Sequence, residues 1–169
     1  NAFTTHEATA FYVKVLDQQT GAAFDLLADL FHHSRFAAKD VEKEKQIVLE
    51  EIRTVQDDPE DYIHELHAKD VFGYHPLGRP ILGEPRSMQR LSRQSLVQYK
   101  EKHYRPEKTI VAVAGNFSFP EIIEYVNTYF GQWKGSGHRK IFSTFRDEPW
   151  PDQPQERQSL HPKALEQVH

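Results

Sequence analysis

The sequence predicts an α+β fold in which helices pack over a layered sheet. The hydrophobic patterns predict, in chain order, two strands and three helices, followed by a helix, a strand and a helix. The chain has 169 residues, of which 38% are hydrophobic and 12% aromatic, and this is enough apolar material for the core of one ordinary domain. No internal repeat is present, so we expect one unit with a tail.

The N-terminal part is predicted to form two short strands followed by a helix. Residues 1–5 and 11–16 have strand patterns, and the second alternates, with Phe11 and Val13 on one face. Residues 21–33 carry apolar side chains at helical spacing, and Thr20 precedes them as a candidate N-cap. We therefore expect two short strands that lead into an amphipathic helix.

Two more helices are predicted almost without interruption, at residues 40–57 and from Pro59 to about residue 72. Asp58 is a good N-cap for the second of these, and proline fits the first turn of a helix. Residues 73–83 contain three glycines and two prolines, so we expect an irregular loop there.

The second half of the chain is predicted to add a helix, a strand and a helix. Ser92 can cap a helix that runs to about residue 104, and the β-branched run at 109–114 predicts a buried strand. A short amphipathic helix is expected at residues 120–130, where Gly131 ends it. Beyond it, prolines and glycines in residues 134–162 are typical of a linker.

The composition disfavours several classes of function. The net charge is −4, with 21 basic residues scattered among 25 acidic ones, so we expect neither nucleic acid nor an anionic membrane surface as a partner. No apolar stretch approaches the ~20 residues that a membrane span requires. Without cysteine, only His, Asp and Glu remain as metal ligands. The chain does not begin with Met, and we expect it to start inside a larger gene product.

Two carboxylates break the pattern of the helix predicted at residues 40–57. At about 100° per residue, Glu44 and Glu51 fall inside an apolar arc, whereas Glu50 lies on the polar face. The members of that arc are Ile47, Val48, Leu49, Ile52 and Val55. Removing an ionised carboxylate from water costs several kcal/mol unless a cation, a metal or hydrogen-bond donors compensate for it. An inward-facing pair of acids therefore predicts a partner for each.

The spacing alone leaves the nature of that partner open. A Lys or Arg from another element can pair with either acid, or the helix can be turned so that both acids reach solvent. Because seven residues of helix span roughly 10 Å, Glu44 and Glu51 are too far apart for both to bind one metal ion easily. One of them can be a ligand while the other supports the site.

Five stretches, taken together, resemble the pitrilysin/insulinase peptidases, a family that includes the mitochondrial processing peptidase and its bacterial relatives. They occur in the family's order over residues 1–133. The stretches are Asn1-Ala-Phe-Thr-Thr5, Glu42-Lys-Glu-Lys-Gln-Ile-Val-Leu-Glu-Glu-Ile52, Pro76-Leu-Gly-Arg-Pro-Ile-Leu-Gly83, His103-Tyr-Arg-Pro106 and Val113-Ala-Gly-Asn116. The resemblance implies a peptidase half-domain with a partial metallopeptidase domain at 1–133, a linker at 134–162 and the start of a second homologous domain at 163–169.

The resemblance also implies a zinc site and roles for individual residues. In the family, two histidines of an H-x-x-E-H helix bind zinc, and a distant glutamate that matches Glu51 is the third ligand. Glu44 matches an acid that supports the site without binding the metal. Asn1, Ala2 and Phe3 match a strand that binds the substrate peptide by strand addition. Zinc with three protein ligands keeps a position for water and lowers the pKa of that water to about 7.

The chain departs from the family pattern because none of its ten histidines lies in an H-x-x-E-H motif. Family spacing places that motif about 25 residues before Asn1. The chain by itself should therefore be inactive. The first hypothesis is that it is a piece of a zinc endopeptidase that hydrolyses unfolded peptides. The second is that it is a piece of a catalytically silent relative that binds peptides or acts as a scaffold. The expected partners are an unfolded peptide and a second homologous domain of the same or another chain. We expect a soluble protein of the bacterial cytoplasm or periplasm.

An unrelated α+β interaction module, with Glu51 paired to a Lys or Arg, is the third hypothesis.

Overall fold

The computed structural model describes residues 1–135, which are mainly helical. The described chain forms two units, and each is treated separately below. The first comprises Asn1–Val41 and the described residues from Ser92 onward, and the second comprises Glu42–Leu91. The predicted linker at 134–162 and the predicted domain start at 163–169 lie outside the described residues, except for residues 134 and 135.

The first unit begins with a small antiparallel sheet. Strand β1 (Ala2–Thr4) pairs with β2 (Thr9–Phe11), and Phe3 lies opposite Ala10. Strand β1 is shorter than the predicted 1–5, and the second prediction was misplaced, since β2 shares only Phe11 with the predicted 11–16. Among the described residues these are the two strands of the only sheet, so a larger layered sheet is not present in this part of the chain.

Three helices complete the first unit. Helix α1 (Thr20–His33) and, later in the chain, α5 (Arg93–His103) and α6 (Phe119–Phe130) agree closely with the predicted helices. Ser92 caps α5 as predicted, because its Oγ accepts a hydrogen bond from the Ser95 backbone N–H at 3.2 Å. The predicted cap of α1 is wrong, since Thr20 is already helical and its Oγ1 donates to the Asp17 carbonyl instead.

The core of the first unit lies between α1 and α6. Ala23 and Phe24 of α1 and Ile122 of α6 are buried, and the ring of Phe24 packs 5.4 Å from that of Tyr125. At the other end of α1, Phe31 is surrounded by aromatic rings that lie 4.9 to 6.3 Å from its own. These rings belong to Phe11, Tyr104, Phe130 and Trp133. The aromatic cluster thus joins the sheet to three helices by burial of apolar surface.

The strand predicted at residues 109–114 does not form within the described chain. These residues lie outside every helix and strand, and Ile110 is 90% exposed. An apolar run becomes a strand only when neighbouring strands satisfy its backbone, and the described residues supply none.

The second unit contains most of α2 (Ala38–Asp57), which begins in the first unit, together with α3 (Pro59–Phe72) and α4 (Pro85–Arg90). The Asp58 carboxylate accepts a hydrogen bond from the Glu60 N–H at 2.9 Å, so the predicted cap of α3 is confirmed. The loop predicted at residues 73–83 contains a 3₁₀ turn at Pro76–Gly78 that was not predicted, and neither was helix α4, which follows the loop.

The loop after α3 folds back tightly onto that helix. A Cβ added to Gly78 would lie 2.8 Å from the carbonyl oxygen of Gly73, so the close approach requires glycine. The side chain of His75 is buried beside this turn, and its Nδ1 accepts a hydrogen bond from the Leu77 N–H. No helix within residues 1–135 is long and apolar enough to cross a membrane.

Candidate metal centre

The two acids singled out by the sequence lie on α2, but both are exposed to solvent. Glu44 and Glu51 are exposed, whereas Ile52, the neighbour of Glu51, is only 4% exposed. The prediction that both carboxylates point inward is therefore wrong for the described residues. The prediction assumed that the whole apolar arc packs against other elements of the chain. In the described residues, only the Ile52 side of the arc is buried.

Neither acid forms an ion pair with a Lys, Arg or His side chain within residues 1–135. No hydrogen bond or ion pair involves the carboxylates of Glu44 or Glu51 there. Glu50, by contrast, accepts a hydrogen bond from the Arg53 guanidinium at 2.5 Å. The interaction-module hypothesis required a Lys or Arg against Glu51, and the described chain does not provide one. The carboxylate of Glu51 is therefore free to bind a ligand from outside this unit.

Glu51 lies at the edge of an open, mainly apolar concavity of about 540 Å³ in the second unit. Ile47 and Val55 of α2 and Leu82 of the loop before α4 supply its apolar surface. Ile47 is 42% exposed, which is unusual for a large aliphatic residue in the middle of an amphipathic helix. An anionic oxygen ligand thus lies next to uncovered apolar surface.

Lys45 fixes the position of α2 relative to α4. Its side chain is only 13% exposed, and its ammonium group donates hydrogen bonds to the carbonyl oxygens of Gln89 and Leu91 at 3.3 and 3.1 Å. These carbonyls are at the C-terminal end of α4, where a positive charge is favourable. Glu42 accepts a third bond from the same ammonium group at 3.1 Å. Sequence reasoning missed Lys45, since its partners lie more than forty residues away.

The described residues do not complete a metal site. Within residues 1–135, no three His, Asp or Glu side chains are arranged to hold a metal ion. Zinc in catalytic sites is bound by three protein ligands, so Glu51 can supply one carboxylate and the others must come from elsewhere. The geometry of residues 1–135 alone does not fit a zinc site.

A second, smaller cavity of about 100 Å³ lies between α2, α3 and the following loop in the second unit. Tyr62, Glu65 and Lys69 of α3 line it together with apolar side chains. Burial raises the pKa of the Glu65 carboxyl, and the nearby charge of Asp61 adds to this effect. This cavity was not predictable from sequence patterns, because its walls depend on the tight fold of the loop.

The residues predicted to bind substrate form one edge of the small sheet. Ala2 and Phe3 lie in β1, and Asn1 extends it through two backbone hydrogen bonds of 2.9 Å with Tyr12. All three residues are exposed. One edge of β1 is paired with β2, and among the described residues no strand pairs with the other edge. That free edge can accept an extended peptide.

His32 is the most unusual titratable group of the first unit. Its ring lies 5.3 Å from that of Phe130 and 5.5 Å from that of Trp133, and its Nε2 is buried without a hydrogen-bond partner in the described chain. Burial lowers its pKa, as do the charges of His33 and Lys100. The Lys100 ammonium group donates a hydrogen bond of 3.2 Å to the backbone carbonyl of His32, so a positive charge lies near His32.

Comparison with known protein families identifies the relatives of this chain. Residues 1–85 match the family described as insulinase, peptidase family M16. The chain belongs to peptidase family M16. Residues 90–169 match a second family model, described as the peptidase M16 inactive domain. The resemblance to the insulinase family found in the sequence is therefore confirmed, and a mainly helical chain with a small sheet is compatible with an M16 half-domain.

Several bacterial relatives of the chain are named as zinc proteases. An uncharacterized zinc protease of Bacillus subtilis, YmxG, is 42% identical over 137 residues, which cover 81% of this chain and 33% of that protein. One from Mycobacterium leprae is 42% identical over 131 residues, covering 78% of this chain and 29% of its own length. One from Rickettsia bellii is 35% identical over 143 residues, which cover 85% of this chain and 34% of that protein. The chain thus spans about a third of the length of these relatives.

Proposed function

We propose that this chain is a section of a zinc-dependent endopeptidase that hydrolyses unfolded peptides. The observation that carries the proposal is the M16 match over residues 1–85, supported by relatives that are up to 42% identical and are named zinc proteases. Because the chain spans about a third of these relatives, the activity belongs to the longer protein. Zinc, when bound there, would supply a Lewis acid and an acidic bound water.

Glu51 is the residue of this chain that we assign to the metal. It is an exposed acid with no partner in the described residues, and unlike Glu44 it borders the open apolar concavity of the second unit. A carboxylate that must bind a cation from another segment has to be accessible in this way. We assign Glu44, about two turns earlier on the same face of α2, to a supporting role through a hydrogen bond to a metal-binding side chain.

The free edge of β1 is assigned to the substrate. Backbone pairing with Asn1, Ala2 and Phe3 would bind an extended peptide with little dependence on its sequence, which suits an enzyme for unfolded chains. The exposed ring of Phe3, which lies 6.0 Å from that of Tyr12, offers apolar contact to one substrate side chain. A second homologous domain, beginning at about residue 163 after a linker at 134–162, would close over the bound peptide, and strands from outside this chain would complete a layered sheet.

A non-catalytic role is the second candidate, and one observation favours it. Residues 90–169 match a family model described as the peptidase M16 inactive domain. In that case the longer protein would bind or present peptides as a scaffold subunit, and the β1 edge would keep its binding role.

The test compares two adjacent glutamates in the full-length protein. Both are exposed, but Glu50 already binds Arg53, so Glu50→Gln is a matched control for Glu51→Gln. We expect Glu51→Gln to lower zinc content and peptide hydrolysis at least about tenfold, while Glu50→Gln leaves both near wild type. Glu44→Gln should weaken zinc binding by roughly 10- to 100-fold, as outer-shell changes do.

The measurements are metal content by mass spectrometry and cleavage of a fluorogenic unfolded peptide. Wild-type zinc content and turnover in Glu51→Gln would exclude the ligand assignment. The scaffold role would instead be supported if the wild-type full-length protein binds unfolded peptide, does not bind zinc and does not cleave the peptide.

A further inference from the structure

The ring of His32 lies where the C-terminal end of α1 packs against the C-terminal end of α6. It lies 5.3 Å from the ring of Phe130 and 5.5 Å from that of Trp133. The ring of Trp133 also packs 4.9 Å from that of Phe31. The Nε2 atom of His32 is buried and has no hydrogen-bond partner in the described chain. A ring nitrogen is thus enclosed among aromatic side chains, where a positive charge would lose its hydration.

The charges around His32 also oppose its protonation. Burial lowers the pKa of His32 most, and the charges of His33 on α1 and Lys100 on α5 lower this pKa further. The carboxylate of Asp29, on the same helix, contacts His33 at 3.0 Å. From α6, a backbone hydrogen bond with Tyr129 raises the pKa of His32 but is outweighed. None of the groups in residues 1–135 that shift this pKa is a carboxylate, so no acid there compensates for a charge on the ring.

The direction of the pH effect follows from the two states of the contact between His32 and Trp133. While Trp133 covers the His32 ring, the ring takes up a proton less readily than a histidine in water, whose pKa is about 6.5. If Trp133 moves away, the ring regains water and its pKa rises towards that ordinary value. The released state therefore binds the proton more tightly, and a fall in pH below about 6.5 favours it. Attraction between an imidazolium and the faces of the aromatic rings acts in the opposite direction.

We propose that His32 is a pH-sensitive switch that keeps the segment Gly131–Trp133 packed on α1 when its ring is neutral and releases this segment when its ring is protonated. The segment directly follows α6 and leads into the predicted linker at 134–162, so the switch would determine where that linker begins. The inference concerns contacts within the first unit and does not depend on metal binding or catalysis. It can therefore hold or fail separately from the proposed function.

The test follows Trp133 in the full-length protein by fluorine NMR. The protein is labelled with 5-fluorotryptophan, and the resonance of Trp133 is the one that Trp133→Phe removes. The exposure of this ring is measured from pH 7.5 to pH 5.0 by the difference in its chemical shift between H₂O and D₂O. We expect the released fraction to rise below about pH 6.5 by up to about tenfold per pH unit, which is the limit for one proton. The circular dichroism of the protein should stay unchanged over the same range.

Two variants assign the effect to His32. Neither His32→Phe nor His32→Gln can take up a proton, so each should abolish the pH dependence of Trp133 exposure, and the pair keeps the test decisive if one of them fails to fold. His33→Phe is the matched control and should retain the pH dependence, because the His33 side chain is 75% exposed. A pH dependence that persists in the His32 variants, or a Trp133 ring that stays buried down to pH 5.0 in the wild type, would overturn the proposal. Release that occurs only together with loss of the circular dichroism signal would also overturn it, since it would be global unfolding.

Discussion

Ile52 should contribute far more to the stability of the second unit than Ile47, although both lie on α2 and both were placed in the same apolar arc. Ile52 is 4% exposed and Ile47 is 42% exposed. Replacing each by Ala removes the same three carbon atoms and makes the same small gain in helix propensity. The difference between the two variants therefore isolates the contribution of burial.

The expected magnitude follows from the exposed fractions. Each buried methylene-sized group contributes about 0.8 kcal/mol, so Ile52→Ala should lose roughly 2 kcal/mol, and the cavity left behind should raise this to about 3 kcal/mol. At Ile47 only part of the side chain is covered and no closed cavity forms, so Ile47→Ala should cost roughly 1 kcal/mol. The predicted difference is about 2 kcal/mol.

The assay is equilibrium unfolding in urea, followed by circular dichroism, with the slope of the transition compared among wild type and both variants. Equal slopes would show that the variants differ in stability rather than in the extent of unfolding. Equal losses of stability at the two positions would refute the reasoning, since they would mean that Ile47 is as well packed as Ile52.

Two further predictions concern buried polar groups. Because burial lowers the pKa of His32, the unfolded chain takes up a proton there before the folded chain does, so the stability of the first unit should fall as the pH drops below about 6.5. Thermal unfolding at pH 7.5 and pH 5.5 should show a smaller fall for His32→Phe than for wild type, and an unchanged fall would contradict the assignment. Lys45→Met should cost about 1–3 kcal/mol, because it leaves the carbonyls of Gln89 and Leu91 without their donor. Lys43→Met, at an exposed position of the same helix, should change the urea midpoint little, and similar losses at both lysines would argue against the Lys45 contacts.

The helices were predicted well because their signals are local. Asp58 before Pro59, and Ser92 three residues before Ser95, satisfy the first backbone donors of α3 and α5 with side chains that are adjacent in sequence. Gly131 follows the last residue of α6 at the predicted position. Caps and apolar periodicity involve only a few consecutive residues, so the rest of the protein has little influence on them.

Elements that depend on distant residues were not predictable in the same way. Helix α4 has only six residues and is held at its C-terminal end by Lys45, more than forty positions earlier. The 3₁₀ turn at Pro76–Gly78 depends on the close contact between Gly78 and Gly73. Glycine and proline mark an irregular backbone, but they do not say where it folds back.

Two of the predictions that failed, the strand at 109–114 and the inward-facing acids, share one physical cause. Hydrophobic periodicity indicates which residues are buried in the folded protein. It does not indicate whether the element that covers them belongs to the same stretch of sequence. In the described residues, Ile110 and Ile47 are exposed because nothing in the same unit covers them.

Such exposed aliphatic residues therefore mark where other parts of a longer protein attach. Ile110 lies in the first unit and Ile47, near Glu51, in the second, and each unit also carries other exposed aliphatic residues, such as Leu26 and Ile63.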